Sequence, residues 1–156
     1  MNACPPMASA APHQPPLRIS LSQRVPLVKL DTVIAARGEN ADTIYARVED
    51  GTLRWVFNLA SNPGGDIRDL RFWTREVQAF AVADDAARRR LQELNPGEVI
   101  QQILGERKNF HSGEVCLLLG IRRPTLMLLR PELKGEGRQF FSRAGIEQFL
   151  KRRLQS

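Results

Sequence analysis

Cysteine is nearly absent from this chain of 156 residues, with only Cys4 and Cys116 present. The first lies in a proline-rich opening and the second inside the apolar run Val115 to Leu119. No disulfide framework is available, and Cys116 reads as a small buried hydrophobe. Histidine is as scarce: His13 and His111 stand alone, and no CxxC, HxxxH or HExxH spacing gathers the roughly four ligands of a structural metal site. Neither a metal nor a cofactor is expected. No window approaches the roughly 18 uninterrupted apolar residues of a membrane span. The opening MNACPPMASAAP has no basic start and puts prolines where a signal peptide needs an apolar stretch. A cytoplasmic protein with no membrane partner is therefore expected. Catalytic signatures are missing too, with no nucleophile elbow, P-loop, dinucleotide fingerprint or acidic metal cluster. The stretch Asn62-Pro63-Gly64-Gly65-Asp66 lacks the lysine and the following helix of a phosphate-binding loop. An enzyme is not expected, because nucleophile, base and oxyanion donors cannot be named together.

What is present is globular composition, 42% hydrophobic and 26% charged, at a length for one ordinary domain or two very small ones. The net charge of +6 is unevenly spread: +2 over residues 1–26, −1 over 27–80, 0 over 81–108 and +5 over 109–156. In the last segment Arg122, Arg123, Arg130, Lys134, Arg138, Arg143, Lys151, Arg152 and Arg153 face only Glu114, Glu132, Glu136 and Glu147. Such a block suits a polyanion, because each phosphate neutralised by Lys or Arg releases condensed counterions. The plainer alternative is a solvated helix end favoured by the macrodipole, which fits Lys151 to Arg153.

Pro5, Pro6, Pro12, Pro15 and Pro16 are five of the ten prolines, and with Ala and Ser they predict a largely disordered tail over 1–26. From Val28 the pattern predicts two short helices separated by Gly38, the second running through Ile44, Tyr45 and Val48. Asp50-Gly51 before Leu53 to Phe57 reads as a hairpin turn beside a strand. A third helix follows from Thr74, with Thr74 as its cap and Val77 and Phe80 facing inward. Residues 81–108 predict an ordered helical connector, in which Asn95-Pro96-Gly97-Glu98 starts a helix carrying Val99, Ile100, Ile103 and Leu104 on one stripe.

The chain contains this unit twice. Val33 slides onto Val115, which places Gly38 on Gly120, Thr43 on Thr125 and Ile44 on Leu126 without a gap. With small gaps, Gly51 to Phe57 falls on Gly137 to Phe141, and Thr74 to Phe80 on Ser142 to Phe149. The run from Ser112 to Leu126, followed by Gly137 to Arg143 and Ile146 to Leu150, resembles the winged helix-turn-helix of excisionase and MerR-like DNA-binding domains. The stretch Asp42 to Trp55 resembles it as well. Together the two resemblances cover residues 27–80 and 109–153, most of the chain beyond its tail. They imply a mainly α fold with small β-hairpin wings: two tandem winged helix-turn-helix units, 27–80 and 109–156, joined by the connector.

Under this resemblance the second helix of each pair enters the major groove of double-stranded DNA and the hairpin tip tracks the backbone. In the second copy that puts Arg122, Arg123 and Thr125 in the helix's first turn, with Arg130, Lys134, Arg138 and Arg143 along the helix and wing. In the first copy it puts Thr43, Tyr45, Arg47 and Arg54 at the DNA, among the repelling carboxylates of Glu39, Asp42, Glu49 and Asp50. Trp55, Phe57, Phe72 and Trp73 read as core rather than as stacking platforms for unpaired bases. The implied function is a transcription regulator, or an excisionase-like architectural factor of recombination on a mobile element, located at the bacterial nucleoid. Further partners under this reading are a second copy, a recombinase or the transcription machinery. The alternative is a protein-protein adaptor or dimerisation module in which only the second copy touches DNA. If both copies bind one duplex, the connector is expected to set their spacing near one helical turn, roughly 34 Å.

Overall fold

The computed structural model describes residues 25–60, 69–136 and 140–155. The expected disordered tail, up to residue 24, lies outside the described residues, as do Asn62 to Asp66 and Arg138. The protein is mainly helical with two small antiparallel sheets.

The first half runs β1 (Leu27–Lys29), α1 (Leu30–Arg37), α2 (Ala41–Glu49), β2 (Val56–Asn58), β3 (Leu70–Trp73) and α3 (Thr74–Ala81). Two connector helices follow, α4 (Asp85–Gln92) and α5 (Pro96–Leu104). The second half repeats the first order with β4 (Asn109–His111), α6 (Ser112–Leu119), α7 (Arg123–Leu133), β5 (Gly135–Glu136), β6 (Phe140–Ser142) and α8 (Arg143–Arg153). In each sheet the last strand lies in the middle, giving orders β1-β3-β2 and β4-β6-β5.

Local chemistry explains most helix limits. The Asn40 side chain caps α2 by accepting from the Thr43 amide at 2.9 Å, and Asp84 caps α4 by accepting from Ala87. Asn95 and Glu98 form a reciprocal capping box at α5. Both α1 and α6 end on a glycine in the left-handed region, Gly38 at φ 69° and Gly120 at φ 66°. A residue with a Cβ is strained there. Thr43 and Thr125 both occupy the third position of their helices, and Val33, Val115, Ile44 and Leu126 are all buried. The ungapped part of the internal repeat is thus present in three dimensions.

The gapped part is corrected. Asp50-Gly51 is the exit turn of α2 and not a hairpin: the Asp50 side chain accepts from the Thr52 amide at 2.8 Å, and the Leu53 amide returns to the Arg47 carbonyl at 3.0 Å. Hydrogen bonds from the Thr52 side chain and amide hold the Asp50 carboxyl below its usual range. The hairpin partner of β2 is β3, reached only after residues 59–69, with Val56 opposite Phe72. Phe141 lies opposite Phe110 just as Phe72 lies opposite Val28, so the counterpart of Phe141 is Phe72 and not Phe57. Thr74 does not cap α3 either. Its hydroxyl donates to the Val25 carbonyl at 2.6 Å and ties the start of the chain to the helix.

The first sheet is covered on both faces. Val28, Val56, Leu70 and Phe72 join Leu30, Val33, Ile44, Val77 and Phe80 in one cluster, the first copy's own core. Leu27, Trp55, Phe57 and Trp73 join a second cluster with Val99, Ile100, Ile103 and Leu104 of the connector and with Phe110, Leu126, Phe141 and Phe149 of the second copy. Trp55 and Trp73 meet edge to face within it, with ring centroids 6.4 Å apart. Trp55, Phe57, Phe72 and Trp73 are thus core, which is how strands apolar on both faces are normally used. At the far end the Gln155 amide donates to the Val56 carbonyl at 2.8 Å and Leu154 bridges Phe57, so the chain's end extends the first sheet. The connector therefore does not by itself space two separate units, because the copies touch directly.

One buried carboxylate organises the junction of copy and connector. Glu76 accepts from the backbone amides of Arg54 and Trp55 at 2.9 and 2.8 Å and from the Gln92 side chain at 2.7 Å. Burial outweighs these bonds and pushes the Glu76 carboxyl above the ordinary carboxylate range.

Candidate nucleic-acid interface

The apolar spacing of Leu126, Leu129 and Leu133 fixes which side of α7 faces the core. Arg122 at the cap position and Arg123 at the first helical position are thereby left on the outside, both exposed. Neither guanidinium makes a hydrogen bond or ion pair with a described residue. They sit where free backbone amides and the positive end of the helix dipole already favour an anion. Arg123 also lies near Cys116, whose thiol is pushed up by burial against the opposing charge of Arg123. Thr125 is half-buried in the helix's first turn. At the other end Lys134 is exposed in the left-handed region at φ 55° and leads into β5.

Two of the other cations expected at the DNA in this copy, Arg130 and Arg143, have contacts within the fold. Arg130 lies over the Phe141 ring, 5.2 Å from its centroid. Arg143 is a clamp: Nε donates to Glu147 at 2.9 Å, and Nη1 donates to the carbonyls of Gly105 and Arg107 at 2.6 and 2.8 Å. It holds the end of the connector on the closing helix. Arg153 and Arg152 bracket Glu132, whose carboxyl the Arg153 hydrogen bond in particular holds below its usual range.

The first copy offers less. Thr43 is half-buried and Tyr45 exposed on α2. Arg47 donates to Glu39 at 3.1 Å, and that hydrogen bond and charge push its guanidinium further up. Arg54 stacks on Trp55, 4.4 Å from the ring centroid, and donates to the Gln92 carbonyl. Both arginines expected at the DNA are thus bound within the fold. Asp42, Glu49 and Asp50 stay exposed.

Compared with protein-family models, curated proteins and solved structures, the chain matches none.

Two features of this region are not among the residues singled out from the sequence. Arg71 is buried, 5% exposed, and donates to the carbonyls of Leu119 at 2.8 Å and Gly120 at 3.0 Å, where α6 turns into α7. Nothing about an arginine between two apolar residues announces this, apart from the unbroken burial of Leu70 to Trp73. The second feature is an apolar outer stripe on α7, where Met127 and Leu128 are 55% and 72% exposed. The same three-and-four spacing that puts Leu126, Leu129 and Leu133 inside leaves Pro124, Met127, Leu128 and Pro131 outside, so this stripe was legible.

Proposed function

We propose that the protein binds double-stranded DNA through its second copy, a winged helix-turn-helix whose α7 enters the major groove. One observation carries this reading: Arg122 and Arg123 stand exposed at the start of α7 with no partner among the described residues. Arg143, Arg47 and Arg54 are in contrast occupied inside the fold. The order strand, helix, helix, strand, strand, helix supports the winged-helix reading for both copies. Such a protein, with no catalytic motif, acts as a transcription regulator or as an architectural factor of recombination.

A second reading is favoured for the first copy, as a protein-contact module. Its α2 presents Asp42, Glu49 and Tyr45 while its arginines are paired internally, which removes the electrostatic drive toward phosphate.

The test is a salt titration of binding to a duplex of about 30 base pairs, well beyond the roughly 10 base pairs of one helical turn. Affinity should fall steeply with salt, and Arg122→Ala and Arg123→Ala should each flatten the slope by about one. Arg143→Ala should lower stability and leave the slope of the folded protein unchanged. Parental binding by both α7 variants would overturn the assignment.

A further inference from the structure

The outer face of α7 is unusual for a helix flanked by cations, because its middle is apolar. Pro124, Met127, Leu128 and Pro131 follow one another at helical spacing, all exposed. Scattered exposed apolar residues need no explanation, but a continuous stripe does. The nearest acid along the helix, Glu132, is turned to Arg152 and Arg153 and leaves the stripe uncharged.

Charge and length together say what could cover it. Arg122 and Arg123 precede the stripe and Lys134 follows it. The helix is 11 residues long, about 16 Å at its usual rise. The major groove is about 12 Å wide. Cations at the two ends of α7 can therefore reach phosphates of both flanking strands while the stripe between them faces the base edges. In that groove the one apolar group a base displays is the C5 methyl of thymine.

We propose that Met127 and Leu128 read thymine methyl groups, making α7 a selector for thymine-bearing steps. This rests on the DNA-binding reading above. Arg122, Arg123 and Lys134 supply sequence-independent attachment, and the two apolar side chains supply preference.

The experiment removes or adds the methyl group alone. Binding of the full chain is measured at low salt to four duplexes of equal length: alternating A·T, the same with uracil for thymine, alternating G·C, and the same with 5-methylcytosine for cytosine. Wild type should prefer thymine over uracil, and 5-methylcytosine over cytosine, by about three- to fivefold per methyl contacted, the transfer value of a group of that size. The double variant Met127→Ala/Leu128→Ala should bind both members of each pair equally while keeping its affinity for the uracil duplex. Its circular dichroism should be unchanged, since both side chains are exposed. Binding to all four duplexes without methyl preference in wild type would overturn this inference alone. So would a preference that survives in the double variant, and loss of a dimer in that variant by sedimentation would then assign the stripe to a protein contact. Binding to none of the four would overturn the DNA reading and this inference together.

Discussion

Arg71, on the central strand of the first sheet, donates to the carbonyl of Gly120, the left-handed residue at the turn between α6 and α7. A side chain of one copy thereby holds the turn that aims the exposed arginines of the other. The position equivalent to Arg71 in the second copy is Phe140, which is 55% exposed. The repeat is used asymmetrically: the first sheet is an internal wall, and the second has an open outer face.

Arg71→Ala should destabilise the protein by about 2–4 kcal/mol, since the Leu119 and Gly120 carbonyls lose charged donors and a buried cavity opens. Arg71→Lys should recover little of this, having no planar fork to span both carbonyls. Urea denaturation midpoints at constant slope would measure both effects.

Unfolding should be a single transition. Trp55 and Trp73, the two tryptophans, are both in the first copy but belong to the cluster that also contains Phe110, Phe141 and Phe149. Tryptophan fluorescence and far-ultraviolet circular dichroism should give coincident melting curves. Two separated transitions would show that the copies unfold independently.

Burial of Glu76 raises its carboxyl above the value of about 4.3 expected in the unfolded chain. The folded protein thus holds that proton more tightly. Its stabilising contribution is complete below about pH 4.3 and is lost as pH rises through the higher folded value. Glu132, lowered by Arg153 and Arg152, works in the opposite sense: its contribution is present above the unfolded value and lost as pH falls. Stability measured from pH 4 to 7 in wild type and Glu76→Gln should show the difference between them moving in favour of the glutamine variant as pH rises.

Phe149→Ala should cost about 3–5 kcal/mol, as this ring is fully buried where the closing helix meets the shared core. Phe140→Ala, nine residues earlier on the open sheet face, should stay within about 0.5 kcal/mol of wild type. Thermal melts of the two variants side by side would compare them.

Helix limits were legible because they are local. The Asn95/Glu98 pair satisfies backbone amides within one turn, and Gly38 and Gly120 take the left-handed conformation that ends their helices. Periodicity was enough to place Val77 and Phe80 inside, because a helix face is decided by spacing. The partner of β2, the clamps of Arg71 and Arg143 and the internal pairing of Arg47 and Arg54 were decided only by tertiary structure. The arginine clamps close chiefly on backbone carbonyls, and every residue has one. No residue type can advertise in advance which carbonyl a guanidinium from a distant part of the chain will meet.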